Sequence, residues 1–292
     1  AAGQQQSEIA VVISGDPGTP PRYVVPDFVA INPEAADWIA GHVDYYVAGN
    51  HDAATAGGQP SRDNFSVPIP EEDVTAPATP PANVPTEHNY SFDYGNVHFV
   101  TFDTNSLHKP KRLEKLLSWV EADLAASQAR WNIVFGHHPP IFVNENIRTP
   151  PCGNYFQQAV PRLHKAGADL FMTGHSQRYM RTFPLLGSRS SAVDFVADTY
   201  GDYAKGTGLV QLISGVGGFE PRGGSYSSAA YVAAGFTTDT DPPSEFGFAQ
   251  IDVTPARLAI SYIAADDGAV LDVGDRCGQW RDRHLNPRTH VN

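Results

Sequence analysis

Four times in this chain a short apolar run ends in glycine and a side chain able to bind a metal follows at once: Gly15-Asp16, Gly49-Asn50-His51, Gly136-His137 and Gly174-His175. Carboxylate, amide and imidazole are oxygen and nitrogen donors, a mixture that suits Zn, Fe or Mn. Glycine lets the backbone leave a sheet sharply and keeps a Cβ away from whatever binds there. In open α/β sheets ligands sit outside the carboxyl ends of the strands, so strand ends on one edge would bring Asp16, Asn50, His137 and His175 together. Read singly, each has an ordinary explanation. Asp16 before Pro17-Gly18 and Asn50 are turn formers, Asp52 is an N-cap, and His138 is a packed neighbour of His137. Four such units together in one chain point to a metal site.

The elements that must carry these residues are legible as apolar periods. Ile9–Ile13 is a continuous apolar run of the kind that forms a strand buried on both faces, Trp131–Phe135 reads as another buried strand, and Leu170–Thr173 as a strand leading into Gly174. Phe28–Ile31 and Val43–Val47 read as two more strands. Asn32 as N-cap and Pro33 at the first helical position predict a helix over Pro33–Ala40. Tyr90–Phe92 and Val97–Phe102 flank Tyr94-Gly95-Asn96 and predict a hairpin. Over Lys109–Ala126, Leu113, Leu116, Leu117, Val120 and Leu124 fall on one helical face. A second helix is expected over Tyr155–Lys165, against the presence of Pro161, with Gly167 as its stop. The remainder reads as β: Leu209–Ser214, then Phe246–Val253, Arg257–Ala264 and Val270–Val273 as an antiparallel meander. Residues 53–88 are rich in Pro, Ala and Thr without an apolar period and read as a long surface loop. Residues 274–292 read as a C-terminal tail, and the whole of 1–292 as one domain.

Composition narrows the chemistry. The chain has 292 residues with 20 basic and 32 acidic side chains, a net charge of −12 with histidines neutral. That balance argues against nucleic-acid binding, which needs clustered Lys and Arg. It leaves room for a small phosphorylated substrate, because a metal's charge can dominate a pocket. No apolar run approaches the roughly 20 residues of a membrane span. Cys152 and Cys277 are the only cysteines, too few for a cysteine-rich zinc site, and either free or joined in one disulfide. The opening Ala1-Ala2-Gly3-Gln4 also suits a trimmed chain, but it reads as that of a mature secreted or periplasmic protein.

Several blocks, in order, resemble the calcineurin-like metallophosphoesterase superfamily, nearest to its purple-acid-phosphatase-like branch. Gly49-Asn50-His51-Asp52 resembles the family's Gly-Asn-His-Asp/Glu block. Gly136-His137-His138-Pro139 resembles its Gly-His-x-Pro block, and Gly174-His175-Ser176-Gln177 its Gly-His-x-His block. Gly15-Asp16-Pro17-Gly18 resembles the branch's Gly-Asp-x-Gly opening. The resemblance extends over roughly Ile9 to Val273. It implies a four-layer α-β-β-α sandwich with two packed mixed β-sheets. It also implies hydrolysis of phosphoric esters, monoesters or diesters, by a metal-bound hydroxide that attacks phosphorus in line. By the same resemblance Asn50, His137 and His175 hold the second metal, and Asp16 the first. His51 stabilises the transition state or protonates the leaving oxygen, and Asp52 orients His51. The cofactor is then one or two Fe, Zn or Mn ions per chain, and the partner a small phosphorylated substrate.

The match breaks in two places. Where the family has a Gly-Asp block whose carboxylate bridges both metals, this chain runs Asp27-Phe28-Val29-Ala30-Ile31-Asn32-Pro33-Glu34, and Glu34 is the nearest carboxylate. Gln177 stands where the family has the histidine of the first metal, and an amide oxygen is a weaker, neutral ligand. The three prolines of Thr19–Pro26 also prevent the helix the family places between its first two strands. Without a bridging carboxylate two neighbouring cations repel with less compensation, which favours a one-metal centre. No purple colour is expected, since no Tyr sits where it would bind iron. The alternative is a catalytically inactive relative that keeps the fold and binds a partner through 53–88 or the Gly-rich 215–224 segment.

Overall fold

The computed structural model describes residues 11–14, 22–26, 45–47, 49–50, 88–106, 110–141, 154–189, 192–196, 202–216, 229–236, 246–264, 268–272 and 278–281. In chain order the strands are β1 (Val11–Ser14), β2 (Arg22–Pro26), β3 (Tyr45–Val47), β4 (Tyr90–Tyr94), β5 (Val97–Thr101), β6 (Trp131–Phe135), β7 (Leu170–Thr173) and β8 (Tyr179–Thr182). They continue as β9 (Leu185–Arg189), β10 (Ala192–Phe195), β11 (Asp202–Ala204), β12 (Val210–Ser214), β13 (Val232–Phe236), β14 (Gly247–Thr254), β15 (Arg257–Ala264) and β16 (Gly278–Arg281). The helices are α1 (Pro110–Ala126), α2 (Asn154–Gln157) and α3 (Ala159–Ala166).

Two mixed sheets face each other. One has the order β11-β16-β15-β14-β1-β2-β3, the other β13-β8-β12-β7-β6-β5-β4. In the second sheet β5, β6, β7 and β12 form a parallel core, with antiparallel strands outside it. The period-2 rule explains the packing. Ile133 and Phe135 of β6 and Leu170 and Met172 of β7 point between the sheets, where they meet Ala249, Ile251, Leu258 and Ile260. Val134 and Phe171, one residue out of step, point the other way onto Leu113, Leu116, Val120, Val160 and Leu163 of α1 and α3. A mostly apolar run is therefore what a strand covered on both sides requires, and the one polar residue of β6, Asn132, has its N–H and side-chain amide taken up by Asp169 and Gly167. The architecture is mixed α/β, as expected. Helix, sheet and sheet are the layers among the described residues, and the helix expected over Pro33–Ala40 lies outside them.

Polar ties fix the two sheets against each other. The Trp131 indole donates to the Thr254 carbonyl at 2.7 Å. Tyr179 donates to Asp272 at 2.7 Å, and the buried Arg181 guanidinium meets the same carboxylate at 2.8 and 3.1 Å. Burial, then the adjacent carboxylate, pushes the Tyr179 hydroxyl well above its ordinary pKa.

Several expected elements differ in detail. The helix read over Tyr155–Lys165 is two, α2 and α3, separated at Gln158. The restart puts Pro161 in the first turn of α3, where its missing N–H leaves nothing unpaired. Gly167 ends α3 with φ 98°, and its N–H reaches the His164 carbonyl. Of the strand read over Val270–Val273, the described residues 270–272 form only a bridge from Val270 to Ile263, because Asp272 turns inward to Arg181 and Tyr179. Its place beside β15 is taken by β16, inside the segment read as a tail. Thr19–Pro26, too rich in proline for a helix, contains β2. The strand read over Phe28–Ile31, Cys152, Cys277 and all of the loop read over 53–88 except its last residue, the buried His88, lie outside the described residues. No helix among the described residues is long and apolar enough to cross a membrane.

Candidate metal centre

β6 and β7 run parallel with Phe135 opposite Met172, so their carboxyl ends stop at one edge. The hydrogen-bond ladder continues past both ends. Gly136 donates to Met172, and Gly174 donates to the His137 carbonyl, each at 3.0 Å. That pairing locks His137 and the turn bearing His175 at one height. Asn50 arrives from the other sheet, just beyond β3 and the buried Gly49.

Three side chains meet there. His137 Nε2 lies 2.7 Å from Asn50 Oδ1 and 3.0 Å from His175 Nδ1, and His175 Nδ1 lies 3.1 Å from Asn50 Oδ1. Protons alone serve this triangle poorly. Asn50 Oδ1 only accepts, and the two imidazole nitrogens facing each other cannot both donate along the line that joins them. Donors about 2.1 Å from one ion and at right angles around it stand about 3.0 Å apart. The triangle therefore has the dimensions and donor types of a metal site, and the residues present fit a Zn, Fe or Mn ion. Asn50 and His175 are half-buried and His137 is fully buried, which leaves one side open.

The turn after β7 is held under strain. His175 and Gln177 are the non-glycine residues with positive φ among those described, at 65° and 46°. Left-handed backbone at such residues costs of order 1–3 kcal/mol each and persists where the surroundings over-determine it. Those surroundings are visible. Ser176 donates to Gly174 at 2.7 Å, and Arg178 Nε donates to the Ser176 carbonyl at 3.2 Å. Gly215 packs so closely that a Cβ there would lie 2.8 Å from the Gln177 nitrogen.

A third imidazole adjoins the triangle. One nitrogen from each of His137, His138 and His175 lies within 4.8 Å of the others. The His138 ring is 4.6 Å from that of His137 and 4.5 Å from that of His175, centroid to centroid. Burial, then the neighbouring His175, pushes its pKa well below the ordinary value, so the ring is neutral. Thr104 holds it, accepting the His138 main-chain N–H at 3.0 Å and pairing with its Nδ1 at 3.0 Å. Gly136 makes room for Thr104: a Cβ at 136 would lie 2.7 Å from the Thr104 methyl carbon. Asp103, just before, is fixed in turn by Asn89, whose Oδ1 accepts the Asp103 N–H at 2.8 Å. On the far side the buried Gln211 amide accepts the Ile141 N–H at 2.9 Å and donates to the Ile141 carbonyl. These supports pin both ends of the segment after β6.

The sequence-predicted residues divide as follows. The structure brings Asn50, His137 and His175 together and places Gln177, buried, two residues past His175 in the same turn. Asp16, Glu34, His51 and Asp52 lie outside the described residues. Sequence reasoning missed Thr104, Asn89 and Gln211. They carry no motif and act only through contacts 14 to 70 residues away in the chain.

Comparison with known proteins points to one family. A family model described as calcineurin-like phosphoesterase matches residues 3–179. A protein called probable inactive purple acid phosphatase 9 of Arabidopsis thaliana is 26% identical over 250 residues, covering 82% of this chain and 35% of that protein. An acid phosphatase of Aspergillus ficuum is 28% identical over 210 residues, covering 69% of this chain and 32% of that protein. The chain thus spans about a third of the length of these curated relatives. Purple acid phosphatase PPD1 from yellow lupin (Lupinus luteus) seeds superposes with a TM-score of 0.64 at 18% identity, over 97% of this chain and 55% of that one. At that identity the likeness is one of fold.

Proposed function

We propose that this chain, which belongs to the calcineurin-like phosphoesterase family, hydrolyses phosphoric esters at a metal ion held by Asn50, His137 and His175. The observation that carries the reading is the triangle of one amide oxygen and two imidazole nitrogens, with edges of 2.7, 3.0 and 3.1 Å. A bound Zn, Fe or Mn ion supplies Lewis-acid stabilisation of phosphoryl oxygens and acidifies water.

The chain's residues do the rest. His137, fully buried, closes the inner side against solvent, while the half-buried Asn50 and His175 leave the outer side open to a small phosphorylated substrate. His51, next in sequence to Asn50, gives a proton to the leaving oxygen, and Asp52 orients it. Asp16 and Gln177 take the position of a first metal. With Gln177 an amide in place of an imidazole, we assign that position little affinity, so that the centre would hold one ion per chain.

The test is hydrolysis of an aryl phosphate monoester and an aryl phosphate diester by purified protein supplied with Zn, Mn or Fe. Turnover should exceed that of His51→Ala by at least about 100-fold, the lower range of a positioned proton donor. Which ester is cleaved faster decides between monoesterase and diesterase. Tight metal uptake with no turnover above His51→Ala would overturn the catalytic reading and make the chain a metal-binding relative without activity.

A further inference from the structure

The triangle of Asn50, His137 and His175 accounts for three donors, and a fourth stands beside it with nothing to do. His138 is 1% exposed, and its Nε2 is a buried nitrogen with no hydrogen-bond partner among the described residues. Its other ring nitrogen is engaged by Thr104. Two tautomers can satisfy that contact. In one, Thr104 donates to Nδ1 and Nε2 carries a proton that points at no acceptor. In the other, Nδ1–H donates to Thr104 and Nε2 presents a bare lone pair. Either arrangement leaves a buried polar atom unsatisfied, which is costly unless something else occupies the space. A cation satisfies the second arrangement and rejects the first.

We propose that His138 is a further protein ligand of this centre, through the ring nitrogen that Thr104 does not hold. The inference rests on the metal-site reading above and goes beyond its three donors. Four observations carry it. The ring is packed against both His137 and His175, 4.6 and 4.5 Å away. The three imidazoles offer nitrogens within 4.8 Å of one another. The remaining nitrogen is buried and unpartnered. The opposite nitrogen is fixed by a hydroxyl, the usual means of orienting a ligating imidazole. An ion about 2.1 Å from each of two nitrogens spans at most about 4.2 Å, so with these nitrogens no more than 4.8 Å apart a ring shift of at most roughly 0.6 Å closes the set. The donor set becomes three imidazoles and one amide oxygen.

Cobalt(II) tests this without recourse to activity. Each imidazole bound to paramagnetic cobalt keeps one exchangeable N–H on its other nitrogen, shifted far outside the ordinary proton spectrum. The intact protein loaded with one equivalent of Co2+ should show three such signals. His138→Phe should show two and bind Co2+ at least about 10-fold more weakly, the lower range seen when groups around a metal are removed. His138→Gln, which keeps a polar side chain, serves the same purpose if the phenylalanine variant does not fold, and the count on the unaltered protein depends on neither. Two shifted signals from the unaltered protein would overturn the proposal while leaving the three-donor site standing. No uptake of Co2+, Zn2+ or Mn2+ at all would overturn both.

Discussion

Histidines are buried at opposite ends of the same sheet, and their surroundings are opposite too. His98 lies near the start of β5, across from Asn132 at the start of β6. Its Nδ1 is 2.7 Å from Asp93 and its Nε2 is 2.8 Å from Asp123, which also accepts from Ser91. Burial alone would lower its pKa, but the hydrogen bonds and charges of Asp123 and then Asp93 outweigh it, and the net shift is upward. Past the other ends of those strands, His137, His138 and His175 pack against one another. There His138 is shifted downward. The first cluster contains its own counter-charge and is complete as a structural ion pair. The second sets three imidazoles and an amide oxygen side by side, donor groups that a cation can join. A buried histidine is thus read by what faces it, not by being buried.

The largest effect that would sharpen this contrast is at the cation-seeking end. His137→Ala should weaken Zn2+ binding by more than about 100-fold by calorimetry, since loss of an inner donor exceeds the loss of a mere supporting group. Thermal stability of the metal-free protein should change far less. At the other end, Asp123→Ala should cost about 3 kcal/mol in denaturant unfolding, because it strands the buried His98, and should leave Zn2+ affinity unchanged. If Asp123→Ala altered metal binding, the two clusters would not be independent and the contrast would fall.

Thr104→Val comes next. It removes the hydroxyl from His138 while keeping the methyl group against Gly136, and should cost about 1–2 kcal/mol in stability. The smallest effect is one of pH, and here the two clusters move in opposite directions. His98 has a folded pKa above its ordinary 6.5, so its stabilisation is complete below about that pH and is lost as pH rises through the higher folded value. Protons compete with metal for the other imidazoles, so metal uptake weakens as pH falls. Urea unfolding of wild type and His98→Gln at several pH values should show the wild-type advantage shrinking upward, while Zn2+ titrations show affinity growing.

The β6 and β7 ends were readable in advance for a physical reason. Strands covered on both faces are mostly apolar, and the glycine that follows marks where the chain leaves the sheet, so both the element and its edge are written locally. The stretch from Tyr179 to Phe195 was not readable. Arg181 and Thr182 are fully buried on β8, and their polarity hides the strand. Arg181 is acceptable there only because Asp272, 91 residues away, meets its guanidinium. Pro161 misled for a related reason: a proline forbids a helix interior, and whether it falls in an interior depends on where α3 begins.

Residue order dictated the donor types, the glycine beside each and the strand that carries it, because these depend on neighbours one or two positions apart. Which donors converge was settled by folding. Asn50 and His175 are 125 residues apart and come from different sheets, and only the packing of one sheet on the other brings their atoms to 3.1 Å. The same holds for His138, an ordinary neighbour of His137 in the sequence, whose buried unpartnered nitrogen exists only because the distant Thr104 and His175 close around it.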